Sequence, residues 1–241
     1  MIEKVLISLI CFFYIFSMEG QTSNAVNLKK KWIVYNTMNN SLTGWHSFMD
    51  SYILDFINSS DLKIKTLGDS NLIDISYRFD SENGIIYEDN GNVLYCVLKV
   101  DNNKLSLKMG EKSNTIVSLV QLDDRSSKLP LDVINNLLCE KVWIKENNSI
   151  RFTNETYKVV DQIETNFKVF VEKDENSQKE FKGAWLLDSY DGMVLLELYS
   201  ERHKLKSIYQ ITNITKNTLN AISTSNNGES LILDFNNDTL D

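Results

Sequence analysis

Two stretches of this chain follow one pattern: YCVLKVDNNKL from Tyr95 to Leu105, and YQITNITKNTL from Tyr209 to Leu219. Each reads Tyr, an aliphatic residue two on, another three further, Asn three beyond that, and Leu two later. The correspondence extends upstream in the same order. Phe79-Asp80-Ser81-Glu82-Asn83-Gly84 matches Leu187-Asp188-Ser189-Tyr190-Asp191-Gly192, which sets Tyr77 opposite Trp185; Trp32 matches Trp143, and Phe56 matches Phe152. A repeat of roughly a hundred residues is too long for a solenoid unit and about the size of one small domain. The chain therefore reads as a tandem duplication.

The first residues stand apart from that repeat. Lys4 precedes the apolar run Val5 to Phe16, which has the length of a signal-peptide core and is shorter than the ~20 residues that span a bilayer. Residues 1-20 are read as a secretory signal, so the protein is expected to be exported: periplasmic, cell-surface or secreted. A formal net charge of -8 argues against a nucleic-acid partner, which needs a basic face to displace counterions. Lys29-Lys30-Lys31 is the one basic run, and reads as a solvated lead-in to the first strand. No later apolar run is long enough to cross a membrane.

Nearly every patterned segment has the period of a strand. Tyr95 and Val97 fall on one face, and Cys96, Leu98 and Val100 on the other. Asn83-Gly84, Asn90-Gly91 and Asp191-Gly192 are hairpin signals between β-prone runs, and Asn103 and Asn217 are expected in left-handed turn positions of four-residue loops. Strands joined this way form an antiparallel meander. Asn39 to Ser47 and Lys173 to Lys179 read as longer exposed loops. Leu129 to Leu138 is the exception, with apolar residues at helical spacing, Asp132 in the first turn and Pro130 at the start. The expected layout is repeat 1 over 28-122, linker and short helix over 123-142, and repeat 2 over 143-236.

Catalytic constellations are scarce. His46 and His203 are the two histidines, neither with a ligand-spaced companion, and there is no phosphate loop, nucleophile elbow or His-Glu-x-x-His segment. No enzyme activity, metal or cofactor is expected. The Asp80 and Asp188 clusters lack the spacing of a calcium loop and read as turns. Six Asn-x-Ser/Thr sequons, at Asn39, Asn58, Asn147, Asn154, Asn213 and Asn237, matter only to a glycosylating host. Cys96 and Cys139 survive signal removal, either as a disulfide pinning the connector to repeat 1 or as two buried thiols. Trp45 and His46 have no counterpart in repeat 2 and are the candidates for a surface contact.

A secreted chain with Trp near its first strand, a meander with Asn-Gly turns and a late Tyr-x-aliphatic hairpin resembles the small lipocalin-like β-barrel proteins exported by Bacteroidetes-type bacteria. The expected glycine before Trp is replaced, Lys30 and Lys141 standing at the corresponding positions. The resemblance implies an all-β protein of two tandem antiparallel up-and-down barrels joined by a short helix, each Trp closing one barrel end. It also implies a non-enzymatic binding protein with a small hydrophobic ligand inside a barrel. Tyr77, Phe79, Tyr95 and Val97 would line the first interior, and Trp185, Tyr209 and Ile211 the second. The alternative is a structural or protein-interaction module with solid barrels.

Overall fold

The structure is a computed structural model that describes residues 27–38, 51–145, 148–159, 163–202, 205–224 and 230–235. The first repeat holds β1 (Lys31–Met38), β2 (Tyr52–Phe56), β3 (Asp61–Thr66), β4 (Leu72–Asp80), β5 (Ile85–Glu88), β6 (Val93–Asp101), β7 (Lys104–Met109) and β8 (Ile116–Gln121). Every strand pairs antiparallel with the next, and β8 returns to β1, closing a barrel. Helix α1 (Leu131–Cys139) follows, with Pro130 as its N-cap residue and Asp132 in its first turn. The second repeat holds β9 (Val142–Lys145), β10 (Asn148–Val159), β11 (Ile163–Asp174), β12 (Lys179–Tyr190), β13 (Met193–Ser200), β14 (Leu205–Ile214), β15 (Thr218–Ser223) and β16 (Ser230–Phe235). This sheet curls through the same order, and short β9 bridges its edges by pairing with β10 and, at Ile144 and Trp143, with β16.

The sequence anchors occupy matching places. Trp32 lies opposite Leu54 and Trp143 opposite Ile150, so Phe56 and Phe152 each sit two residues beyond the Trp partner. Both indoles donate upstream, Trp32 Nε1 to Leu28 O at 3.1 Å and Trp143 Nε1 to Leu138 O at 3.0 Å. Tyr77 and Trp185 also both donate to backbone carbonyls just beyond those Phe residues, Tyr77 OH to Asn58 O at 2.6 Å and Trp185 Nε1 to Thr153 O of β10 at 3.1 Å.

The repeated Tyr segment carries a β-bulge. Val97 pairs with Leu107 and Val100 with Leu105, with a register shift between Val97 and Lys99; Ile211 pairs with Ala221 and Ile214 with Leu219, with the same shift between Ile211 and Asn213. One extra residue on the bulged strand changes the alternation. Val100 therefore packs with Val97 in the interior cluster, not on the face opposite to it as strict alternation predicts, and Leu98 is left 51% exposed. The turns differ from expectation too. Asn102, not Asn103, holds the left-handed conformation (φ 44°), and the turn before Thr218 is organised by the Thr215 hydroxyl, which accepts from Asn217 N and Thr218 N. Between β11 and β12 the connection is a tight turn, not a long loop, with Gln178 at φ 57°.

The two barrels share a third apolar cluster. Ile33, Ile53, Val120 and Leu122 from the outer wall of the first meet Ala184, Leu186, Met193, Leu195 and Ile208 from that of the second. Strand β13 is consequently buried on both faces, Val194 and Leu196 pointing into its own barrel and Met193 and Leu195 toward the other. Polar contacts surround this joint. Asp188 Oδ2 receives Lys65 Nζ at 2.9 Å and Gly68 N at 2.7 Å, Tyr190 OH donates to Asp55 Oδ2 at 2.8 Å, and Lys31 pairs with Asp191 at 2.6 Å. Gln210 holds the linker by accepting from Asp123 N and donating to Asp123 O. The duplicated turn has thus diverged. In the first repeat Asp80 accepts from Glu82 N, Asn83 N and Asn83 Nδ2 and satisfies its own turn; in the second the equivalent Asp188 reaches across to the other barrel.

Glu197, in the middle of β13 on its joint-facing side, is 1% exposed, and neither carboxylate oxygen has a hydrogen-bond partner. Burial pushes its pKa up to about 7, outweighing the opposing influence of Lys206 and Ser51.

Candidate functional site

The predicted interior residues fall inside the barrels. Tyr77 and Tyr95 are buried in the first interior with Trp32, Phe56 and Leu107, and Phe79 and Val97 pack against them. Trp185 and Ile211 are buried in the second with Trp143, Phe152 and Phe170, and Tyr209 packs at their edge. Desolvation raises the Tyr95 phenol to about 12, with Tyr52 pulling the other way. Large rings fill much of both interiors, Phe56 lying edge-on to Tyr77 at 5.4 Å and Phe152 to Trp185 at 5.3 Å. Cys96 and Cys139 are unbridged. Cys96 belongs to β6 of the first barrel, whereas Cys139 ends α1 on the second and donates to Asn154 Oδ1 at 3.6 Å. Trp45 and His46 lie outside the described residues.

Among the described residues, recesses adjoin the barrels at two places of note. One, of about 580 Å³, lies at the joint and is lined by Lys29, Lys30, Lys31, Asp55, Phe56, Ile57, Lys63, Leu72, Gln121, Asp124, Tyr190 and Asp191. Much of its polarity is engaged: Lys31 with Asp191, Tyr190 with Asp55, and Lys30 Nζ with Gln121 Oε1 at 2.7 Å. It is the seam between the domains.

The other recess, of about 530 Å³, lies between α1 and the second barrel and is lined by Leu131, Asp132, Asn135, Asn166, Lys168, Trp185, Leu186 and Leu187. It exists because the second repeat is longer here. Phe152 pairs with Phe170 as Phe56 pairs with Leu62, but β10 and β11 continue past that point as twelve-residue strands, and α1 packs on β10 and β12. Ile134 and Leu138 anchor the helix in the same cluster as Trp143 and Trp185, and Trp143 Nε1 donates to Leu138 O. Lys168 is the cross-strand partner of Trp185. Its ammonium lies 5.1 Å from the Trp185 ring centroid and donates to Asn135 Oδ1 at 2.6 Å and Asn154 Oδ1 at 2.8 Å. The Trp185 indole N–H is shared between Thr153 O and Val169 O, at 3.1 and 3.0 Å, which fixes the ring as the recess wall. Burial raises the Cys139 thiol above its ordinary pKa despite the Lys168 charge, so it is not an activated nucleophile.

Of the predicted pocket residues, Trp185 lines one of these two recesses. Lys168, Asn135 and Leu131 escape sequence reasoning because helix, hairpin and strand meet only in the folded chain; the sole hint is a lysine amid the apolar residues of β11. Among the described residues, no group of three or more His, Cys, Asp or Glu side chains is placed to hold a metal, and no helix is long and apolar enough to cross a membrane. The chain matches no family model and no curated protein.

Proposed function

We propose that the chain is an exported, non-enzymatic binding protein built from two lipocalin-like barrels, in which a small hydrophobic ligand occupies the recess beneath α1. The supporting observation is the recess itself, about 530 Å³ with Trp185, Leu187 and Leu131 in its lining, within the size range of small-molecule sites. The joint recess is the weaker candidate, because its charged groups already serve domain docking. In this reading the first barrel is a packed support for the second. Titration of the mature chain with the neutral probe N-phenylnaphthylamine tests it, and saturable binding is expected. Leu131→Trp, which fills the recess, should weaken that binding about tenfold, the effect of losing one good apolar contact region. Failure of the probe to bind, or binding indifferent to Leu131→Trp, would favour the interaction-module reading, for which the exposed pair Leu72 and Ile73 on β4 is the motivating observation.

A further inference from the structure

We infer that the ligand of the α1 recess carries a single carboxylate on an apolar body and that Lys168 receives the carboxylate. The inference rests on the preceding reading that this recess is the ligand site. Lys168 has three N–H donors, and two are directed to the neutral amide oxygens of Asn135 and Asn154. Among the described residues no carboxylate forms an ion pair with it. The charge is therefore positioned but not neutralised, in a chain whose net charge is -8. Its neighbours supply the other half of the recognition: the ring of Trp185, with Leu131 and Leu187, offers an apolar surface beside the ammonium. Asp132 lines the same recess, and its repulsion disfavours a doubly charged phosphate more than a monoanion. The cation is specific to the second repeat. Two residues before Leu62, the counterpart of Phe170, stands Ser60.

Calorimetric titration of the mature chain with decanoate and with decanol separates head group from tail. The unsubstituted protein should bind decanoate about tenfold more tightly than decanol, the scale of a hydrogen bond to a charged group. Lys168→Met, which keeps the apolar stem, should abolish the preference and bring decanoate and decanol to the same affinity, and Lys168→Arg should retain the preference. Thermal unfolding of each variant checks that the barrel is intact; should Lys168→Met unfold, Lys168→Gln replaces it in the same comparison. Equal binding of both probes by the unsubstituted protein overturns the anionic ligand and leaves the recess as a ligand site. A preference that survives in Lys168→Met overturns the role of Lys168. Binding of neither probe overturns both readings.

Discussion

At the scale of single residues, Glu197 is buried at a cost to the fold. A carboxyl group shut off from water is costlier ionised than protonated. Its folded pKa of about 7 lies above the ordinary 4.5, so its contribution to stability is fully present below about pH 4.5, declines as pH rises, and is lost above about pH 7. The difference corresponds to roughly 3 kcal/mol at neutral pH and above. Glu197→Gln should flatten this part of the dependence of melting temperature on pH, raising it most above pH 7. Gly183 is a second constrained position: a Cβ there would run into the Phe170 ring and the Tyr199 carbonyl oxygen. Gly183→Ala should cost about 2 kcal/mol or more in denaturant unfolding, through overpacking. Neither constraint is legible in the sequence. Glu197 follows the unbroken apolar run Met193 to Leu196, a local pattern that does not say which face is covered, and its burial depends on the wall of the other barrel.

At the scale of elements, the bulges in β6 and β14 explain why two aliphatic residues spaced by three are both interior. The spacing itself was visible in Val97 and Val100 and again in Ile211 and Ile214, but a bulge is a property of a strand pair, and its partner strand decides it. Two substitutions distinguish the alternatives. Val100→Ser should destabilise by about 1–2 kcal/mol, whereas Leu98→Ser should change stability by no more than about 0.5 kcal/mol, the ordinary scale for a surface site. Strict alternation would make the two sites equivalent, and equal losses in urea unfolding would count against the bulge. Helix α1 was readable because its signals are local: Val133, Ile134, Leu137 and Leu138 at helical spacing, and Pro130 where its missing N–H does no harm. Its landing place was not, since it depends on how far β10 and β11 extend.

At the scale of the whole molecule, the duplicated Asp turn shows how one local sequence serves two ends. Asp188→Ala removes the partner of Lys65, only 10% exposed, and of the Gly68 N–H. It should cost about 3 kcal/mol, the penalty of leaving a buried charge unpaired, and loosen the joint, visible as increased amide exchange at Gly68. Asp80→Ala removes contacts within an exposed turn and should cost about 1 kcal/mol without affecting that exchange. Two barrels and their order were legible because Trp32, Phe56, Tyr77 and Tyr95 recur on equivalent strands. Their docking was not, because its contacts join positions some 120 residues apart. The docking walls are also not equivalent: the first barrel offers β1, β2 and β8, whereas the second offers chiefly β12, β13 and β14. A contact between unlike walls of like units is head-to-tail, the kind that repeats into a ring or a filament, and not the self-complementary contact of a symmetric pair. On the first barrel the wall matching β12–β14 meets no third unit among the described residues, and carries Arg78 stacked over Tyr87 at 4.7 Å beside the exposed Leu72, Ile73 and Leu98.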